Sequence, residues 1–203
     1  GFEKPSIIQQ KAILPIIQGY DVIAQAQSGT GKTAAFAIGT LQLVDPSKDE
    51  IQCLILSPTR ELAHQTSIVY SFLGEYLKVK VTLLIGGTKL GADIDKLKEG
   101  PQVLVGSPGR VKDLIKRKKV TLSYLNSFVL DEADEMLSKG FLEDIKEIIS
   151  IIPTTAKILL FSATMTKEVV EMTTKFMKDP VKILVKNEEL TLEGIKQYYV
   201  YLK

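Results

Sequence analysis

Val22-Ile23-Ala24 leads through Gln25 into Ala26-Gln27-Ser28-Gly29-Thr30-Gly31-Lys32-Thr33, and a helix-forming stretch follows. An apolar run of strand length thus ends in a glycine-rich loop that opens a helix. Gly29 and Gly31 allow backbone conformations that aim N–H groups at phosphate oxygens. The helix that follows adds the positive end of its dipole. Lys32 has the reach for β- and γ-phosphates, and the Thr33 hydroxyl suits a Mg²⁺ ion. Alanine occupies the first glycine position of this phosphate-loop pattern. The alternative, a glycine-rich turn with no ligand, loses ground because the loop stands between a strand and a helix.

Outward from this loop, apolar runs recur at Val22–Ala24, Cys53–Leu56, Leu83–Ile85, Val103–Val105, Phe128–Leu130, Ile158–Phe161 and Ile183–Val185. Each has the length of a strand buried on both faces. Helical patterns lie between them. The clearest gathers Phe141, Leu142, Ile145, Ile148, Ile149 and Ile152 on one face, with Glu143, Asp144, Lys146 and Glu147 elsewhere. Ser107 before Pro108 reads as an N-cap and a first-turn proline. Strands alternating with helices predict an α/β fold, a parallel sheet with helices on both faces. Ligands of such sheets bind beyond the carboxyl ends of the strands. Six unusual clusters fall there: Gly29–Thr33, Pro58–Glu61, Gly86-Gly87, Ser107–Arg110, Asp131–Asp134 and Ser162–Thr164.

The strand-like run Phe128-Val129-Leu130 ends in Asp131-Glu132-Ala133-Asp134. A buried strand delivers Asp131 to the phosphate edge, where it can hold Mg²⁺ through water. Glu132 beside it can orient or deprotonate an attacking water. A solvated acidic turn is the bland alternative, and the upstream phosphate loop weighs against it. Ser6-Ile7-Ile8-Gln9 fits a helix capping box, and Ser162-Ala163-Thr164 fits a strand end with capping hydroxyls. By themselves these two segments decide nothing.

The chain has 203 residues, 45% of them hydrophobic and 25% charged, with a formal net charge of +2. That is enough for one large domain with a buried core. The small charge excludes a polycation, so affinity for nucleic acid has to come from a local patch or from backbone donors. A single cysteine, Cys53, excludes an internal disulfide and packs within its apolar run. No stretch approaches the roughly 20 apolar residues of a membrane span. Gly1-Phe2-Glu3 shows no basic segment leading into an apolar one. The expectation is an excised piece of a soluble intracellular protein.

Taken together the motifs resemble the DEAD-box RNA helicases, in that family's order: GFEKPSIIQ at 1–9, AQSGTGKT at 26–33, PTRELA at 58–63, GG at 86–87, SPGR at 107–110, DEAD at 131–134 and SAT at 162–164. The resemblance runs over nearly the whole chain. DEADEMLSKGF at 131–141 and ILVKNEELTLEGIKQYYV at 183–200 are similar to the eukaryotic translation initiation factor 4A branch, with RNA-processing branches as the alternative.

The resemblance implies a RecA-like P-loop NTPase domain over residues 1–185. It makes 186–203 a linker and the first strand of a second RecA-like domain. The implied activity is ATP-dependent unwinding of RNA, with hydrolysis stimulated by RNA, in cytoplasmic translation initiation or in nuclear RNA processing. ATP and Mg²⁺ are the implied cofactors. Single- or double-stranded RNA without sequence preference, the second domain and scaffold proteins of translation initiation are the implied partners. Gln9 is implied to recognise the adenine edge, alongside its capping role. Gln27, Ser28, Gly29, Thr30, Gly31, Lys32 and Thr33 would bind the nucleotide, and Asp131 and Glu132 would complete the hydrolytic centre. Pro58, Thr59, Arg60, Gly87, Ser107, Pro108, Gly109 and Arg110 would meet the RNA backbone. Asp134, Ser162 and Thr164 would couple hydrolysis to domain movement. Ser107 stands where the family more often has threonine, which keeps the hydroxyl. The family's adenine-stacking aromatic upstream of the glutamine motif is not present in these residues.

The basic run Lys116-Arg117-Lys118-Lys119 has two readings, a grip on RNA and, the favoured one, a solvated helix end that complements the dipole. His64 has no partners at metal-ligand spacing and reads as a helix-surface residue. Tyr198, Tyr199 and Tyr201 read as part of a strand of the second domain. A GTPase would want Asn-Lys-x-Asp, and neither Asn126 nor Asn187 begins one. A binding module without turnover of its own is the remaining alternative for a single domain.

Overall fold

The computed structural model describes residues 4–138 and 140–184. The strands are β1 (Val22–Gln25), β2 (Cys53–Leu56), β3 (Val81–Leu84), β4 (Val103–Gly106), β5 (Ser127–Leu130), β6 (Lys157–Ser162) and β7 (Val181–Leu184). They form one seven-stranded sheet in the order β3-β4-β2-β5-β6-β1-β7. Every pairing is parallel. The predicted α/β class is therefore met, with each apolar run inside or overlapping a strand. β2, β4 and β5 are buried along their whole length, as strands covered on both faces must be.

The two edge strands begin two residues before their apolar runs. Val81 pairs with Val103, and Val181 with Val22. Lys182 is exposed there, because an edge strand keeps only part of its surface in the core, while Thr82 is buried. Ile85, expected in β3, falls in the turn beyond it. Val185 and the expected linker at 186–203, including its tyrosines, lie outside the described residues.

Helices α1 (Ile7–Ile17), α2 (Lys32–Leu41) and α3 (Arg60–Gly74) cover one face, with Ile8, Ile16, Phe36 and Tyr70 in its core. Phe36 meets Phe161 edge-on, ring centroids 5.1 Å apart, a favoured aromatic geometry. The opposite face carries α4 (Leu90–Leu97), α5 (Pro108–Lys116), α6 (Ala133–Ser138), α7 (Leu142–Ile149) and α8 (Lys167–Phe176), packed through Val111, Met136, Ile145, Ile148, Val169 and Met172. The apolar face read from the sequence becomes α7, with Ile145, Ile148 and Ile149 buried. Pro108 opens α5 as expected, but the Ser107 hydroxyl makes no cap hydrogen bond. Among the described residues no helix is long and apolar enough to cross a membrane.

Buried polar groups tie the layers. Asp21 accepts from the Ile158 N–H at 2.9 Å and the Lys178 N–H at 2.8 Å, joining the amino-terminal ends of β1, β6 and β7. The hydroxyls of Thr40 on α2 and Tyr70 on α3 lie 2.7 Å apart. Cys53 packs beside them, and burial pushes its thiol up to about 12. It is inert packing, as its apolar run implied.

α1 lies close enough to α2 that a Cβ on Gly39 would stand 2.7 Å from Ile16 Cγ2 and 2.9 Å from Ile16 Cβ. Glycine to alanine inside a helix ordinarily gains about 1 kcal/mol. Here overpacking, typically about 1–3 kcal/mol, opposes that gain, and Ile16 Cβ cannot move without its helix. Gly39→Ala is therefore expected to lower stability by roughly 1 kcal/mol in urea unfolding. A stabilised variant would show that α1 is free to slide on α2.

Candidate functional site

The sheet registers bring the motifs to one level. Gln25 lies beside Ser162, and Leu56 lies beside both Leu130 and Gly106. The chain leaves each of these strands at the same edge, so the phosphate loop, Asp131 and Glu132 converge. A cleft of ≈ 390 Å³ is lined there by Ser28, Gly29, Gly31, Lys32, Thr33, Asp131 and Glu132. Gln27 and Thr30 of the same loop do not line the cleft; the Thr30 hydroxyl donates to the Gln27 carbonyl at 2.7 Å. Gly29 and Gly31 have φ of +82° and +93°, left-handed values that the loop demands of glycine.

Lys32 is buried, and its Nζ lies 3.0 Å from Glu132 Oε1, which also accepts from the Ser28 hydroxyl at 2.9 Å. Glu132 itself has φ +52°. A non-glycine residue costs about 1–2 kcal/mol in that region, the kind of strain that collects at functional sites. Asp131 is only 4% exposed, and its Oδ1 has no hydrogen-bond partner. Burial, reinforced by the neighbouring Glu132 charge and only partly offset by Lys32, pushes the Asp131 carboxyl up to about 7. Among the described residues no three His, Cys, Asp or Glu side chains form a metal cage. A lone buried oxygen in a cleft that Thr33 also lines instead fits a cation held mainly by water and phosphate, the habit of Mg²⁺.

Gln9 sits directly behind the loop, 6% exposed. Its Oε1 accepts from the Ser6 N–H at 2.8 Å, the capping-box bond read from the sequence, while Nε2 donates to the Gly31 carbonyl at 3.3 Å. A Cβ on Gly31 would stand 2.5 Å from that Nε2. The glutamine motif and the phosphate loop are thus one packed unit.

Asp134, Ser162 and Thr164 also form one unit. Asp134 Oδ2 accepts from the Thr164 N–H at 2.9 Å and from its hydroxyl at 2.6 Å. Ser162 Oγ accepts from the Asp134 N–H at 3.2 Å and donates to the Thr164 carbonyl at 2.8 Å. Burial opposes ionisation of Asp134, but the hydrogen bonds from Thr164 and Ser162 outweigh it and hold the carboxyl below its usual range.

The residues expected to meet RNA divide by accessibility. Arg60 and Gly109 are exposed, whereas Pro58 and Pro108 are buried and Ser107 partly so. Thr59 caps α3, its hydroxyl accepting from the Leu62 N–H at 3.2 Å. Arg60 lies over the glycine pair; a Cβ on Gly87, φ +90°, would stand 2.7 Å from Arg60 Nη1. Among the described residues no acceptor takes the N–H of Gly86 or Gly87, which leaves a turn suited to anions. Arg110 instead faces inward, with its Nε donating to the Ile85 carbonyl at 3.1 Å and Nη2 to the Thr88 carbonyl at 2.6 Å. The basic run is partly paired, Lys116 with Glu147 and Arg117 with Asp113, at the end of α5 remote from this edge. His64 is exposed, as expected.

Sequence reasoning missed Leu62, Gln65, Thr66 and Val69 of α3, which line the cleft opposite the phosphate loop. Their i, i+3, i+4, i+7 spacing is a helix face beginning just after Thr59-Arg60. That pattern was legible, but core packing and cleft lining give it equally.

The raised Asp131 carboxyl has a testable consequence. A folded-state value of about 7 against the ordinary 3.8 means that folding takes up a proton between those limits. Stability therefore falls as pH rises through that window. Asp131→Asn cannot ionise there, so without nucleotide or metal its Tm advantage over the parent should grow from about pH 4 to about pH 7. Parallel Tm-versus-pH curves for the two proteins would refute the assignment.

A DEAD/DEAH box helicase model matches residues 6–173. The ATP-dependent RNA helicase eIF4A of Neosartorya fischeri is 57% identical over 98% of this chain, and that of Chaetomium globosum 56% identical over 98%; the chain spans about half the length of each. Among solved structures, a DEAD box protein from the hyperthermophile Methanococcus jannaschii superposes with TM-score 0.83 and 41% identity, over 90% of this chain and 50% of its own. The S. cerevisiae dbp5 bound to nup159 and gle1 superposes with TM-score 0.81 and 36% identity, over 92% of this chain and 50% of its own. With motif order, fold and sequence in agreement, the chain belongs to the DEAD/DEAH box helicase family.

Proposed function

We propose that this chain is the RecA-like ATP-binding half of an ATP-dependent RNA helicase, spanning residues 1–185 and followed by the linker to a second domain. The observation that carries the reading is the convergence of Lys32, Thr33, Asp131 and Glu132 in one cleft at the phosphate loop. Lys32, the one cation lining that cleft among the described residues, neutralises the β- and γ-phosphates once it leaves Glu132. Glu132, released in the same exchange, orients and deprotonates the attacking water. Asp131 and Thr33 are the residues that hold Mg²⁺, which supplies charge neutralisation when bound. Gln9 reads adenine with the N–H and lone pair that its bonds to Gly31 and Ser6 leave over. Arg60 and the free N–H groups of the Gly86-Gly87 turn grip the RNA backbone, which makes binding independent of sequence. Asp134, Ser162 and Thr164 pass hydrolysis to domain movement, since a shift at Asp134 is felt directly at Thr164. The similarity to eIF4A supports translation initiation in the cytoplasm, with that pathway's scaffold proteins as partners.

Nucleotide titration tests the site. Lys32→Ala is expected to abolish measurable binding of a fluorescent ATP analogue. Glu132→Gln should bind at least as tightly as the parent, because the carboxylate no longer competes for Lys32. ADP should bind more tightly than GDP, with the preference lost in Gln9→Ala, since a mismatched base leaves amide groups unpaired. Undiminished affinity in the Lys32 variant would sink the assignment.

Turnover tests the division of labour. With one cation in its cleft, residues 1–203 should hydrolyse ATP poorly even with saturating RNA. Supplying the second domain should restore turnover, since an arginine on the γ-phosphate is worth about 10³–10⁵ in rate at related sites. Robust RNA-stimulated hydrolysis by this chain alone would overturn the two-domain mechanism.

A further inference from the structure

We infer that Arg110 is a positioning residue that holds the Ile85–Thr88 turn in its RNA-binding shape and does not itself contact phosphate. The inference rests on the reading of this edge as the RNA site. Two arginines meet the same turn in different ways. Arg60 is exposed and lies across Gly86 and Gly87. The Arg110 side chain is only 12% exposed, and its Nε and Nη2 are committed to the carbonyls of Ile85 and Thr88, the two ends of the turn. A planar guanidinium presents these two donors on different nitrogens at a fixed spacing, whereas a lysine's donors all radiate from one nitrogen on a flexible stem.

Beneath this bridge lies Asp93 of α4, whose side chain is 1% exposed. Its Oδ2 stands 3.5 Å from Arg110 Nε and accepts from the Thr88 hydroxyl at 2.9 Å, while Oδ1 has no partner. A buried carboxylate anchors its counter-ion strongly, because removing either partner strands the other in a poor solvent. Asp93, Thr88 and Arg110 therefore clamp the turn from within, at the point where Gly87 must keep its left-handed φ of +90°. The turn's free N–H groups are then left for a ligand, with Gly87 and Arg60 exposed beside each other.

Salt dependence separates a positioning arginine from a contacting one. Each phosphate contact to a single strand contributes about 0.7 to the slope of log affinity against log salt. Binding of labelled single-stranded oligouridine is measured by anisotropy over a range of salt. Arg60→Ala should weaken binding and lose about 0.7 of slope. Arg110→Ala should weaken binding roughly tenfold, the scale of a lost charge-assisted bond, with the slope unchanged. Arg110→Lys should fail to rescue, although it keeps the charge. Thr88→Val, a milder variant that keeps the fold if Arg110→Ala does not, should weaken binding a few-fold, again at constant slope.

Backbone ¹⁵N order parameters of Gly86, Gly87 and Thr88 without RNA give an independent readout. They should fall in Arg110→Ala and Arg110→Lys from about 0.85 toward 0.6. A slope loss in Arg110→Ala together with rescue by lysine overturns the inference and makes Arg110 a phosphate contact. Unchanged order parameters also overturn it, whatever RNA does. If the order parameters fall but Arg60→Ala alters neither affinity nor slope, the reading of this edge as the RNA site is what fails, and the clamp has no RNA to serve.

Discussion

The buried parallel strands end in register, and the site depends on that alignment. Backbone ladders set Gln25 beside Ser162 and Leu56 beside Leu130 and Gly106. The next residues on these strands are Ala26, Ala163, Asp131, Ser57 and Ser107, so each motif starts from one platform. A parallel sheet buried on both faces resists slippage, because a one-residue shift would turn each side chain to the other layer. The placement of Asp131 against the phosphate loop is therefore as rigid as the core behind it.

On that platform the electrostatics are self-contained. Lys32 and Glu132 neutralise each other at 3.0 Å, while Asp131 beside them is desolvated and lacks a hydrogen-bond partner at Oδ1. Such a site favours a ligand carrying both kinds of charge. On the proposed reading, phosphate competes for Lys32, a divalent cation suits Asp131, and Glu132 is left to act as a base. The internal ion pair keeps the loop shaped in the meantime, at the cost of an exchange that any nucleotide has to make.

α3 connects the cleft to the outer edge. Arg60, its first residue after the Thr59 cap, lies across the glycine turn, and Leu62, Gln65, Thr66 and Val69 over its first three turns line the cleft wall. The Thr40–Tyr70 contact then fastens the same helix to the phosphate-loop helix. One rigid element thus touches both the proposed RNA edge and the proposed nucleotide cleft. Asp134 and Thr164 make a second link on the other side of the sheet.

The sequence alone determined the fold class and the seven strands, and it picked out Gly29–Thr33 and Asp131-Glu132 as the candidate phosphate-binding and acidic segments. These depend on local periodicity and on residue types that few other uses require. It also carried the capping bond of Gln9, which spans only three residues. Tertiary structure decided what depends on residues far apart in the chain: Gln9 against Gly31, Asp134 against Thr164, and the α3 face that lines the cleft. It also separated Arg60 from Arg110, which the sequence had grouped as RNA contacts. Both are arginines beside a motif, and nothing local says which way a long side chain turns. That choice belonged to Asp93 and to the carbonyls of Ile85 and Thr88, brought to Arg110 only when β3 and β4 pair and α4 and α5 pack on the same face.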